Sequence, residues 1–233
     1  MSYLLGIIGL FVTLGLAFLI SSNKKAIKLK PLIVMFVLQL VLGFVLLRTT
    51  FGTAVVSVLA KMFDHLLAFA GQGVDFVFAG VANKGSAPFF LSVLMPIVFI
   101  SAIIGILRYI KILPLFMKAV GLGLSKINGM GKLESYNGVA SAILGQSEVF
   151  ISIKKELPFL SEKRLFTMSV SAMSTVSMSI VGSYMALIDS KYVITALVLN
   201  LFGGYILASI VNPYVLEEKE DELIIEENKE QTF

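Results

Sequence analysis

The chain of 233 residues is 57% hydrophobic with a mean hydropathy of +0.92, which excludes an ordinary soluble domain and makes it an integral membrane protein. It has no cysteine and one histidine, His65, so disulfides, thiolate metal sites and multi-histidine metal centres are excluded. The formal net charge of +4 reads as topology rather than as a sign of anionic or nucleic-acid partners, because Lys and Arg collect in loops that positive charge marks as cytoplasmic.

Residues 3–20 form the first apolar run. It lacks a basic n-region and a small-residue cleavage site, so it stays as a span. A loop with Lys24, Lys25, Lys28 and Lys30 follows and is placed inside, with the N-terminus outside. Pro31 opens a second run to about Leu47, where a proline's missing N–H costs nothing. In 51–79, Ser57, Lys61, Asp64 and His65 share one helical stripe among apolar faces, which predicts an interfacial helix on the outer surface. His65 reads as a headgroup-facing residue of that stripe, the alternative being a proton relay.

Residues 83–88 are a turn by composition. The third span is expected over 89–110, kinked inside by Pro96, with Arg108 and Lys111 setting its far end inside. Residues 114–127 are expected to form a short inner-surface helix and loop.

The stretch 136–153 is 18 residues long with one charge, Glu148, just past its middle. A lone carboxylate in a mostly apolar membrane segment costs about 2.5–3.5 kcal/mol or more, so it is a candidate functional residue. Gly145 and Gln146 before it favour a break in a helix. Both flanks are basic, with Lys126 and Lys132 before and Lys154, Lys155, Lys163 and Arg164 after. Two cytoplasmic ends predict a re-entrant hairpin with two arms of about ten residues, half the ~20 that a full crossing needs. The alternative is one short crossing helix with a snorkelling Glu148.

The next span, 165–188, holds Ser171, Ser174, Thr175, Ser177 and Ser179 within nine residues. Such hydroxyls loosen a helix by bonding the preceding turn, or they pack helices together. Asp189 and Lys191 make an outer turn, 192–211 returns inside, and Asn212 and Pro213 end it. The tail, 217–233, carries eight acidic residues and is a solvated segment. On these placements 15 of the 19 Lys and Arg lie inside.

The sequence 132–148, Lys-Leu-Glu-Ser-Tyr-Asn-Gly-Val-Ala-Ser-Ala-Ile-Leu-Gly-Gln-Ser-Glu, resembles the first re-entrant hairpin of concentrative nucleoside transporters. Residues 174–182 resemble the broken helix that follows it. The opening span and the loop 22–27 are similar to the bacterial proton-coupled permease branch. The resemblance implies an all-α membrane protein with about five transmembrane helices, a re-entrant hairpin and interfacial helices. It divides the chain into scaffold-type helices (1–111), part of a transport domain (112–188), a further transmembrane helix (189–215) and an acidic tail or linker (216–233).

It further implies a nucleoside symporter of the cell membrane, with no enzymatic activity, no cofactor and no resident metal. Gln146, Ser147 and Glu148 would contact the base of a nucleoside, expected to be a pyrimidine. The cation-site positions would be Ser141, Leu144, Thr175 and Val176. Ser141 stands where sodium-coupled members carry Asn, and Thr175 where they carry Ser, which favours a proton over sodium as the coupling ion. The family's second half has no counterpart here, so the chain is expected to be an N-terminal half that would complete a homotrimeric carrier. The alternatives are a truncated or split subunit, inactive without that half, and a sodium-coupled symporter.

Overall fold

In a computed structural model, residues 2–78, 89–185 and 187–216 are described, and among them the regular structure is helical. The turn expected at 83–88 and the acidic tail at 217–233 lie outside the described residues.

Helix α1 (Ser2–Leu19) and helix α2 (Leu29–Arg48) are apolar on nearly every face. Phe11 and Phe44 are 69% and 65% exposed, an arrangement that suits lipid rather than water. The chain turns sharply out of α2. Thr49 Oγ1 donates to Val45 O at 2.7 Å and accepts from Gly52 N at 3.0 Å. A Cβ on Gly52 would fall 1.9 Å from Val45 O, so only glycine admits this turn.

Helix α3 (Thr50–Phe78) is one unbroken element of 29 residues. Its stripe of Ser57, Lys61, Asp64 and His65 is exposed. The His65 ring meets its own helix, with Nδ1 2.7 Å from Lys61 O. The opposite face buries Val56 and Phe63 against Val181, Met185 and Ile194. By length and hydropathy α3 also meets the condition for crossing a membrane.

The third span does not begin as a regular α-helix. A π-helical turn, Phe90–Leu94, comes first, and Pro96 then stands in the first turn of α4 (Met95–Tyr109). A proline donates no backbone bond, so it fits where an i→i+5 turn has already shifted the pairing. Lys111, with φ 63°, breaks the path, and α5 (Ile112–Asn128) leaves α4 at 81°. The region expected as helix and loop is a single helix. Its Gly121 lets Tyr136 come close, since a Cβ there would lie 2.8 Å from Tyr136 Cα.

The stretch 136–153 is broken, with unequal arms: α6 (Lys132–Ile143) has 12 residues and α7 (Gln146–Ser152) has seven. Helix α6 lies inside the protein rather than against lipid. Tyr136, Val139, Ala140 and Ile143 belong to a core shared with Met117 of α5, Met168 and Ala172 of α8 (Glu162–Met173), and Tyr205 of α10 (Ser190–Val211). Helix α9 (Met178–Met185) continues α8 after a break. Helices α2, α3, α10 and the α8–α9 pair are long and apolar enough to cross a membrane, and the bent α4–α5 pair makes five. The chain is a multi-pass membrane protein.

Candidate functional site

The first break is set by Gly145. Its φ of 117° and ψ of 163° belong to backbone that side chains rarely allow. Gln146, Ser147 and Glu148 follow as the exposed first turn of α7, while Val149 turns back into the core. The Glu148 carboxylate folds over the break: a Cβ on Gly145 would lie 2.7 Å from Glu148 Oε2 and 3.3 Å from Ser177 Cβ. An acidic side chain in the first turn is favoured by the helix dipole. Glu148 forms no ion pair among the described residues.

The second break spans residues 174–177, between α8 and α9. Hydroxyls bond locally at this break, where the sequence leaves helix loosening and helix packing both open. Ser174 Oγ donates to Ser171 O at 2.9 Å, and Ser177 Oγ lies 3.0 Å from Ser179 Oγ. Asn200 of α10 closes the break from outside by donating its amide to Ser174 O.

The two breaks touch. Thr175 Oγ1 lies 3.0 Å from Ser141 Oγ and 2.9 Å from Ala172 O, while Ser141 Oγ donates to Gly138 O at 2.9 Å. Leu144 is the buried C-cap of α6, at the lip of the first break, and Val176 is half-buried within the second. The four positions expected at a cation therefore fall at or next to the two breaks, and Ser177 and the Glu148 carboxylate both border the open side of Gly145. An amide, a hydroxyl and a carboxylate side by side offer donors and acceptors to a polar heterocycle.

Sequence reasoning missed what holds this arrangement. The sequence places Arg164 among the basic loop charges and gives Glu134 no role. Both are buried, with Arg164 Nε 2.6 Å from Glu134 Oε1 and Nη2 3.1 Å from Oε2. Tyr214 O–H donates to the same carboxylate at 2.9 Å, and Tyr205 O–H donates to Glu134 O at 2.8 Å. Asn212 Nδ2 donates to Lys163 O at 2.7 Å. Asn137 Nδ2 donates to Met168 O at 2.9 Å, tying α6 to α8 midway. The available signal was polar residues inside apolar helices, Asn137 and Asn200 among them, which in membranes commonly bond a neighbouring helix.

Comparison with known proteins covers most of the chain. Residues 8–81 match the family described as Na+ dependent nucleoside transporter N-terminus, and residues 90–191 match the family described as nucleoside recognition. The chain is 37% identical to the purine nucleoside transport protein NupG of Bacillus subtilis over 95% of its own length and 56% of that protein. It is 29% identical to the nucleoside permease NupC of Helicobacter pylori, over 91% of its length and 53% of that protein. Among solved structures, CNTnw in an inward-facing substrate-bound state superposes with a TM-score of 0.84 at 27% identity, over 93% of this chain and 55% of that one. The chain thus spans about half the length of the relatives it matches.

Proposed function

The chain belongs to the concentrative nucleoside transporter family, and from that premise we propose that it forms the base-recognising half of a proton-coupled nucleoside symporter. The observation that carries the reading is the meeting of two helix breaks at Ser141 and Thr175, with Gln146, Ser147 and Glu148 beside them. Broken helices that bring polar groups and unpaired backbone to one point are how such carriers build solute sites.

In this reading Gln146, Ser147 and Glu148 hold the base, and Ser141, Leu144, Thr175 and Val176 surround the coupling position. Proton coupling is supported by the chemistry of Ser141. Its short hydroxyl donates to Gly138 O and contacts Thr175, and it offers no amide carbonyl to a cation that needs several oxygens. For the base, the sequence reading names a pyrimidine and the Bacillus subtilis relative is named for purines. The proposed assembly is a homotrimer.

The experiment joins this chain to the part of NupG beyond the matched region and expresses it in cells lacking nucleoside uptake. Uridine uptake is measured under an imposed proton gradient, then under a sodium gradient at equal pH, each with inosine as competitor. Stimulation by protons alone is expected. Stimulation by sodium would overturn the coupling assignment, and the competition assigns the base. Expressing the unfused chain in the same cells tests whether it transports by itself; no uptake is expected.

A further inference from the structure

A second polar site lies at the far end of the spans from the basic loop. Helix α2 has 20 residues, or about 30 Å, the thickness of a bilayer's hydrocarbon core. Its first residue follows the loop of Lys24, Lys25 and Lys28, and its last is Arg48. Helix α10 runs the other way. Its end meets that same loop through Ser22 N, which donates to Val211 O at 2.9 Å, so its start at Ser190 lies beside Arg48. Between these ends and α3 opens a cleft of about 760 Å3, lined by Arg48, Ser57, Lys61, Asp64, Asp189 and Lys191 over an apolar floor that includes Leu46 and Val56.

The charges in this cleft are unequally used. Lys191 is paired with Asp189 at 3.0 Å. Arg48, Lys61 and Asp64 are exposed and form no ion pair among the described residues. What is left is two cations and one carboxylate lining one cleft at the end of α2 away from its basic loop. The neighbouring surface is apolar, with Phe44, Phe51 and Val58 each more than half exposed.

We propose that this cleft binds a glycerophospholipid whose headgroup carries both a phosphate and a primary amine. Arg48 and Lys61 take the phosphate, the guanidinium through its paired donors and the ammonium as a point charge. Asp64 accepts the N–H donors of the headgroup ammonium. The acyl chains lie along the apolar faces of α2 and α3. A quaternary headgroup amine has no N–H to give and loses the second contact. A headgroup with phosphate and no amine leaves Asp64 facing a like charge. The proposal does not depend on transport.

The test is native mass spectrometry of the purified chain, titrated with phosphatidylethanolamine, phosphatidylglycerol and phosphatidylcholine of identical acyl chains. Phosphatidylethanolamine is expected to be retained about tenfold more tightly than phosphatidylcholine, one charge-assisted contact's worth. Arg48→Gln and Lys61→Gln should each weaken both phosphatidylethanolamine and phosphatidylglycerol. Asp64→Asn should erase the preference for the amine lipid while phosphatidylglycerol binds as well or better. All three positions are exposed, so circular dichroism should show unchanged helix content. Equal retention of phosphatidylcholine, or variants that bind as the parent does, overturns the proposal. So does a disulfide between two copies of Lys61→Cys, which would make the cleft a subunit interface.

Discussion

Arg164 holds Glu134 in a two-pronged pair at 2.6 and 3.1 Å, across 30 residues of sequence, with both side chains buried. The pair joins the start of α6 to the start of α8, the two helices whose far ends meet at Ser141 and Thr175. Removing one partner strands a charge. Arg164→Met should cost about 3–5 kcal/mol, and Lys should not replace Arg, because it lacks the planar fork. Replacing both residues by Leu should be milder than either single change. Thermal unfolding of the detergent-solubilised chain, followed by size-exclusion chromatography, measures each of these variants.

Tyr214 adds a test that turns on pH. Its hydroxyl donates to Glu134 Oε1 at 2.9 Å, and burial followed by the nearby Glu134 carboxylate pushes its pKa well above the ordinary tyrosine range. Above about pH 10 the unfolded chain releases this proton while the folded chain keeps it, so the fold binds more protons and stability falls as pH rises. Tyr214→Phe should cost about 1–3 kcal/mol near neutral pH through the bond lost by Glu134. It should also flatten the decline above pH 10. A slope equal to that of the parent would show that Tyr214 is not the titrating group.

What the sequence disclosed, and what it withheld, divides along physical lines. Apolar runs and basic loops located α2, the α8–α9 pair and α10, because lipid tolerates charge only at the ends of a span, whereas α3, expected at the surface, is also long and apolar enough to cross, and α1 is a shorter apolar helix. Gly145 and the hydroxyls of 171–179 marked both breaks, because each acts on its own backbone. Pairings across the fold stayed hidden. Arg164 looked like a loop charge because its partner is 30 residues away, and apolar composition alone could not show that α6 is buried within the protein. The single helix through Gly121 was also missed: glycine reads as a breaker, and here it admits the Tyr136 backbone.

The first break should be intolerant of any side chain. At Gly145 the backbone φ is 117°, and an added Cβ would press on Glu148 Oε2 at 2.7 Å. The conformation alone costs a non-glycine residue about 1–3 kcal/mol. Gly145→Ala should therefore either lower thermal stability by that amount or swing Glu148 away from Ser177. A cysteine at position 177 labelled by a methanethiosulfonate reagent distinguishes the two, since swinging Glu148 away should speed labelling. Unchanged stability together with an unchanged labelling rate would mean that the break is held elsewhere.

Glu148 carries the sharpest test of the proposed site. Its neighbours leave it exposed and without an ion pair among the described residues, folded over a glycine that makes room for it. A carboxylate kept for stability would look like Glu134, buried and bonded by Arg164 and Tyr214. In the fusion with NupG, Glu148→Gln should weaken nucleoside binding about ten- to a hundredfold, the loss of one charge-assisted bond of ~1.5–3 kcal/mol, with abundance in the membrane unchanged. Glu134→Gln should do the reverse, depleting the protein from the membrane because Arg164 is left unpaired. Uridine uptake at rising concentration, normalised to carrier abundance, separates the two. If Glu148→Gln keeps the parent's uptake, the residue is not in the substrate site, and Gln146 and Ser147, which share its turn of helix, lose their main support with it.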